Sequence, residues 1–466
     1  MKQKYKYLFK NLGILTFSNF ASKILVFLLV PLYTSKLSTY EYGVYDLVLT
    51  TIQLVFPLFT LNIVDALMRF LLDESENRNS IVTLSVKYIA IALILGIIFV
   101  ASLCFIPDFQ ELNGLRLLIY MYFVLYVLNQ FLLQLAKGLE RVKELGIAGI
   151  LGTLAMLIYN VLFLVIFNWG ITGFFLANIL SQFISVIFLF YSTKAWRYIS
   201  YKYTNRDTEL RMLRYCIPLI FTAVGWWVNS ASDRYVVVGM LGVGATGILS
   251  VSYKIPSIIN TVQSIFVQAW QISAIKEYGE TDSKEFYGSS FMCLNSIMVI
   301  LCAGIILLTR PLAHVLYAKD FYQAWQYVPF LVISNVINTS AGFLGPILAA
   351  KKNSKVMAQS AIWGAVVNLI LNFLLVYYIG IQGATLATMI SSYVIYQVRR
   401  NATKKEFHID KYSHIILSWI LLIIQAIVEV YVQNYYIELL IVVIIILLYS
   451  KTIIDMMKSL LCVRKS

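Results

Sequence analysis

The chain has 466 residues, 60% of them hydrophobic and only 13% charged, and its mean hydropathy is +0.78. Soluble globular chains carry roughly 45–50% apolar and about 25% charged residues, so an ordinary water-soluble enzyme is excluded. The net charge of +14 does not require a nucleic-acid partner, because basic loops hold the cytoplasmic face of a membrane protein.

Apolar runs between charged or turn-rich breaks predict an all-α polytopic membrane protein with about 14 transmembrane helices. In chain order the expected spans are Asn11–Ser35, Val44–Phe70, Ile81–Ile106, Leu115–Ala136, Leu145–Phe167 and Ile171–Thr193. Then come Tyr215–Val238, Gly247–Gln271, Phe286–Leu308, Phe321–Ala350, Val356–Tyr378 and Ile381–Val398, and last Tyr412–Val432 and Tyr435–Ser450. The first span follows a basic stretch and has no small-residue cleavage site, so it reads as a retained helix rather than a signal peptide. The Lys194–Arg214 connection is rich in Tyr, Trp, Lys and Arg, a mixture that suits an interfacial helix. Prolines at Pro31, Pro57, Pro218, Pro256 and Pro346 fall inside spans and are expected to kink or break them.

Charge placement fixes the orientation. With the N-terminus inside, 28 of the 37 basic residues fall on inner segments. Only Lys36, Arg116, Arg310 and Lys319 fall on outer ones. Both termini are therefore expected in the cytoplasm.

An internal repeat organises the map. Gly170-Ile171-Thr172-Gly173 with Leu176, Ala177 and Ser181 recurs, 210 residues on, as Gly380-Ile381-Gln382-Gly383 with Leu386, Ala387 and Ser391. Lys143 and Asn160 match Lys355 and Asn372, and Asn19-Phe20-Ala21-Ser22 matches Asn229-Ser230-Ala231-Ser232. The implied organisation is two parallel six-helix lobes around a central cavity, residues 1–200 and 201–405, followed by two C-terminal helices and a tail, 406–466.

Charges left inside spans are the candidate functional residues, because one near the bilayer centre costs at least about 2.5–3.5 kcal/mol and usually faces water or a partner. Lys87 can snorkel from its inner end, and Asp46 and Glu429 lie near outer ends. Asp65 and Arg69 are four apart, so a local salt bridge explains them as well as function does. Lys23, Arg234 and Lys254 are harder to place structurally. Asp233 and Arg234 are adjacent and point to different faces of an ideal helix, so Asp233 is not expected to neutralise Arg234 locally. Arranged by depth, Arg69, Lys23, Arg234 and Lys254 form a ladder that suits a mobile anion such as a phosphate or pyrophosphate head group. No bound cofactor is expected. Asp46, Asp65 and Asp233 could take Na⁺ or H⁺ as coupling ions, and pairing with bases explains them equally well.

Other motifs carry less. The five cysteines are scattered, and His314, His408 and His414 lack metal-ligand spacing, so no metal site is expected. Gly242-x-Gly244-x-x-Gly247 joins two membrane helices rather than a strand and a helix, which removes the nucleotide reading. No catalytic constellation stands on a polar segment, and the chain is not expected to be an enzyme.

Taken together, Ser18-Asn19-Phe20-Ala21-Ser22-Lys23, Pro31-Leu32-Tyr33-Thr34, Leu37-Ser38 and Glu41-Tyr42-Gly43-Val44-Tyr45-Asp46 resemble the N-terminal signature of Wzx-type polysaccharide-unit flippases of the multidrug/oligosaccharidyl-lipid/polysaccharide (MOP) exporter superfamily. Asp233-Arg234, Gly239, Gly247 and Tyr253-Lys254 resemble that family's pattern in the second half, with Leu249 and Ser252 departing from it. The resemblance implies a multi-pass protein of the bacterial plasma membrane. It implies an alternating-access carrier of undecaprenyl-diphosphate-linked oligosaccharide, serving capsule or exopolysaccharide synthesis, with the cavity bases on the diphosphate. Other polysaccharide-assembly membrane proteins are candidate partners. A lipid II flippase and a multidrug/cation antiporter of the same superfamily are the alternatives.

Overall fold

Local sequence signals set where the helices begin and break. Ser38 starts a helix by a capping box: its hydroxyl accepts from the Glu41 amide at 3.1 Å, and its own amide donates to Glu41 Oε2 at 2.8 Å. A second cap comes from the same side chain, whose Oε1 accepts from the Ile171 amide at 3.3 Å, in the first turn of a distant helix. The Glu41-Tyr42 motif thus ties the start of one helix to the start of another.

The computed structural model describes residues 23–73, 77–102, 114–200, 205–276, 283–351, 354–404 and 412–463. Among them there is no strand. In the first half the α-helices are α1 (Val30–Lys36), α2 (Thr39–Phe59), α3 (Ile63–Leu71), α4 (Arg78–Ser102), α5 (Arg116–Gly138), α6 (Val142–Asn160) and α7 (Gly170–Thr193). Then follow α8 (Arg206–Leu241), α9 (Val243–Ser252), α10 (Ser257–Lys276), α11 (Ser283–Leu307), α12 (Thr309–Leu316) and α13 (Val328–Ala350). The last four are α14 (Ser354–Ile379), α15 (Ile381–Thr403), α16 (Tyr412–Ile427) and α17 (Tyr435–Val463). Ten helical stretches among the described residues are long and apolar enough to cross a membrane. The fold is the expected all-α membrane architecture. The chain divides into two compact units, Met1–Trp227 and Val228–Ser466.

The repeat is visible in the packing inside each unit. In the first, α7 lies against α6 and α5; in the second, α15 lies against α14 and α13. Both joints use the same glycine device. Gly170 and Gly380 have φ of +52° and +62°, a conformation that only glycine adopts freely. Three residues on, Gly173 and Gly383 let the preceding helix come close. Asn160 and Asn372, also matched by the repeat, are both buried, and each donates to the carbonyl four residues back, at 2.7 and 3.0 Å. The Asn19–Ser22 half of the third match, and the first part of the first span up to residue 22, lie outside the described residues.

Several expectations need correction. Val44–Phe70 is not one span: two residues after Pro57 the helix ends, Leu61 and Asn62 turn left-handed, and α3 begins afresh. Gly247–Gln271 is interrupted over Tyr253–Pro256, between α9 and α10. Pro256 therefore marks a real break, whereas Pro218 and Pro346 sit inside continuous helices. In the Lys194–Arg214 connection the structure has one 3₁₀ turn, Ala195–Tyr198, strapped to α4 by the Ser200 amide on Thr83 Oγ1 at 2.8 Å. A long helix then starts at Arg206. Residues 201–204 lie outside the described residues.

The signature tyrosines turn out to be core. Tyr33, Tyr42 and Tyr45 are all buried. Tyr33 stacks on Tyr42 at 5.0 Å between centroids, and Tyr45 meets Phe174 and Phe175 of α7 edge-on at 4.5 and 5.2 Å.

Candidate functional site

Each unit carries its own set of candidate charges. In the first unit, α3 follows the left-handed break and carries Asp65 and Arg69. The expected i,i+4 bridge between them is not made. Asp65 instead accepts from the Asn62 amide at 2.8 Å and the Gln134 amide of α5 at 3.1 Å. Asn62 is the left-handed residue at the helix start, so the break itself aims an amide at the carboxylate. Arg69 is left exposed. Lys23 is exposed too. Neither Lys23 nor Arg69 has an acid within ion-pair distance among the described residues. Asp46 is buried, 7% exposed, on α2 beside Tyr45.

In the second unit the structure brings Asp233, Arg234 and Tyr253 together. Asp233 Oδ1 accepts from the Arg234 backbone amide at 2.9 Å and faces Arg234 Nη1 at 3.4 Å. The Tyr253 phenol donates to Asp233 Oδ2, and the Arg234 guanidinium lies over the Tyr253 ring, 4.9 Å from its centroid. The expectation that these neighbours cannot pair is overturned. The long Arg234 side chain folds back along its helix, where Nη1 also donates to the Ser230 carbonyl at 2.9 Å. Asp233 is only 4% exposed. Arg234 is accordingly half of an ion pair, while Lys254 stands half-buried in the break between α9 and α10. A broken membrane helix of this kind exposes backbone carbonyls and helix-end charge where a polar ligand can use them.

A buried polar line continues from this cluster. Ser232 donates to Asn368 Oδ1 at 3.3 Å, Asn372 to the same atom at 3.0 Å, and Asn368 to Ser391 at 3.4 Å. The roles of Tyr253, Asn62 and Gln134 were missed from sequence. Tyr253 was within reach, since it stands beside the singled-out Lys254; Gln134 was not, because nothing in spacing links it to Asp65.

Two further charged contacts replace expected solitary residues. Lys87 does not simply snorkel: its Nζ is 2.7 Å from Glu209 Oε1. The lysine hydrogen bond, helped by one from the Tyr88 phenol at 2.6 Å, holds the Glu209 carboxyl below the usual carboxylate range. Glu429 is not solitary either. It is 1% exposed and pairs with Arg310 through two hydrogen bonds, at 3.1 and 3.0 Å. Among the described residues, no group of three or more His, Cys, Asp or Glu could hold a metal ion.

Comparison with known proteins places this geometry. An uncharacterised membrane protein of Methanocaldococcus jannaschii is 24% identical over 406 residues, spanning 82% of this chain and 94% of that protein. Human multidrug and toxin extrusion protein 1 is 26% identical over 263 residues, 54% of this chain but only 43% of its own length. Among solved structures, the lipid II flippase MurJ in an inward closed conformation superposes with a TM-score of 0.70 at 16% identity, covering 96% of this chain and 99% of that one. An inward-facing multidrug resistance MATE family transporter of the MOP superfamily gives 0.65 at 15% identity, over 82% and 95%. These likenesses establish the fold. The polysaccharide biosynthesis protein family model matches residues 8–271, more than half of the sequence. The chain therefore belongs to the polysaccharide biosynthesis protein family, built on the helical membrane fold of the MOP superfamily.

Proposed function

We propose that this chain is a lipid-linked oligosaccharide flippase. It carries undecaprenyl-diphosphate-linked repeat units across the bacterial plasma membrane by alternating access, with both termini in the cytoplasm. The observation that carries the reading is that the family match, residues 8–271, takes in all four candidate bases, Lys23, Arg69, Arg234 and Lys254.

Physical chemistry supports it. A base on a membrane helix without an acid partner is costly unless it meets water or an anion, and among the described residues Lys23 and Arg69 have no acid within ion-pair distance. A guanidinium fork matches phosphate oxygens in two-point contact. The Arg234 guanidinium is held over the Tyr253 ring, beside the break that carries Lys254. Capsular or exopolysaccharide units are the expected cargo, and other polysaccharide-assembly membrane proteins the expected partners. Asp65 is the best candidate for Na⁺ or H⁺ coupling, because its partners are two neutral amides and no base among the described residues pairs with it.

Lipid II is the second reading, favoured by the fold match that covers most of both chains; it offers the same diphosphate. A multidrug/cation antiporter fits less well, because Asp233 is closed over by Arg234 and Tyr253 rather than presented to a cation.

The test is reconstitution of the full chain into vesicles with labelled undecaprenyl-diphosphate-linked oligosaccharide or, in parallel, lipid II. Translocation is read by access of a membrane-impermeant quencher, with and without ion gradients. Lys23→Gln and Arg69→Gln each should slow transport roughly tenfold or more, as expected for loss of a charged hydrogen bond. Movement of lipid II alone would select the second reading. Movement of neither, or full activity in both variants, would overturn the proposal.

A further inference from the structure

Outside the repeat, the last two helices carry a charge cluster that the transport reading does not use. α16 ends in a π-helical turn, Val428–Val432, which carries Glu429; Gln433 is left-handed, and α17 follows with Glu438 in its first turn. Widened turns of this kind recur at functional positions. Both glutamates are sealed, Glu429 at 1% and Glu438 at 0% exposure. Both converge on one nitrogen of Arg310 at the start of α12: Nη2 is 3.0 Å from Glu429 Oε2 and 3.5 Å from Glu438 Oε1.

The distribution of hydrogen bonds is unequal. Glu429 takes both of the guanidinium's hydrogen bonds, through Nε and Nη2. Neither carboxyl oxygen of Glu438 has a hydrogen-bond donor among the described residues. Two ionised carboxylates against one guanidinium would leave a net negative charge in a dry site. Burial of an uncompensated charge is expensive enough that such a group takes up a proton instead. Two carboxyls that share a site commonly hold one proton between them, the protonated member donating to the ionised one.

We propose that Glu429 and Glu438 form a proton-binding site that holds one proton between them, with Arg310 balancing the remaining negative charge. Glu438, protonated, donates its O–H toward the Glu429 carboxylate, and the guanidinium stays on Glu429. Arg310 and Glu429 are the charged groups acting on Glu438; Tyr322 acts on Arg310 in turn, and His314 stands one ring further out against Tyr322. The Trp325 ring covers the guanidinium at 5.9 Å. Arg310 is the most exposed member, its side chain 29% accessible, and it marks the side from which a proton enters. The site is distinct from the candidate diphosphate residues, and its occupancy does not depend on which lipid is carried.

The test uses the full chain, purified and reconstituted, without substrate. Infrared difference spectra across a pH titration should show a buried protonated carboxyl in the wild type at neutral pH. That signal should be lost in Glu438→Gln, which mimics the protonated side chain without a titrating proton. The thermal midpoint of the wild type should fall as alkali removes the proton, and that fall should be absent in the variant. If Glu438→Gln does not fold, Glu429→Gln serves, because it leaves Glu438 to the guanidinium and should lose the same signal. Absence of the carboxyl signal from the wild type, or its survival at full strength in either variant, would overturn the proposal.

Discussion

The two glycine joints of the repeat answer one geometric demand in different ways. At Gly170 and at Gly380 the chain turns through the left-handed region and a helix starts at once. In the second unit, α14 stays α-helical up to Ile379, so its last turn lies directly against α15. A Cβ on Gly383 would be driven into the backbone of Leu375 and come within 2.5 Å of the Val376 nitrogen. In the first unit, the chain after α6 widens into a π-helical stretch, Val161–Ile166, and Asn168 adds a second left-handed turn. The backbone retreats, and a Cβ on Gly173 would meet the Cβ atoms of Phe163 and Trp169 at 3.0 Å and the Phe163 carbonyl at 3.2 Å, tight contacts that a shift of a few tenths of an ångström relieves. An extra loop of backbone replaces a strict need for glycine.

That difference has a direct consequence. Gly383→Ala should destabilise the protein by about 3 kcal/mol or more, since backbone cannot repack, and Gly173→Ala by about 1 kcal/mol. Thermal midpoints of the two variants in detergent check it, and equal midpoints would mean that the wider turn offers no relief. The acids should diverge next. Asp233→Ala takes the acid away from a largely buried guanidinium and a phenol and should cost about 3 kcal/mol. Asp65→Ala strands two amides and should cost about 1–2 kcal/mol. Unfolding monitored by tryptophan fluorescence separates the two. A smaller gap is expected for the matched asparagines. Asn372→Ala loses a bond to the Asn368 side chain as well as one to its carbonyl, and should cost about 2 kcal/mol against about 1 kcal/mol for Asn160→Ala.

Much of this was legible in the sequence, for identifiable reasons. Long apolar blocks can satisfy their backbone only as helices in lipid, so the fold class follows from hydropathy, while the breaks inside Val44–Phe70 and Gly247–Gln271 do not. The Gly-x-x-Gly repeat was legible because a backbone requirement leaves a residue type behind. Charge pairing was not. The i,i+4 rule assigned Arg69 to Asp65, but the left-handed break at Leu61 and Asn62 supplies a nearer amide, and a break of that kind has no periodic signature. Treating Asp233 and Arg234 as pointing apart considered Cβ directions and ignored the reach of an arginine. The Glu429–Glu438–Arg310 cluster joins Arg310 to two glutamates more than a hundred positions further along the chain. In sequence Glu429 reads as an end-of-span charge and Arg310 as an outer-segment base, and only the fold brings them together with Glu438.

The smallest expected effect tests the strap between the connecting segment and α4. Glu209 is held below its ordinary carboxylate range by Lys87 and Tyr88, so the folded state keeps this group ionised to lower pH than the unfolded chain does. The stabilisation is therefore fully present above the unfolded carboxylate pKa of about 4.3 and disappears as pH falls through the lower folded value. The Lys87 side chain is 52% exposed, so screening limits the pair to about 0.2–1 kcal/mol. Glu209→Gln should lower the thermal midpoint slightly at neutral pH, less so at high ionic strength, and the difference from wild type should vanish in acid. Ser200 and Thr83 hold the preceding turn independently of any charge, so the segment should remain attached while the ion pair is lost. A difference that persists in acid would assign the contribution of Glu209 to packing rather than to its charge.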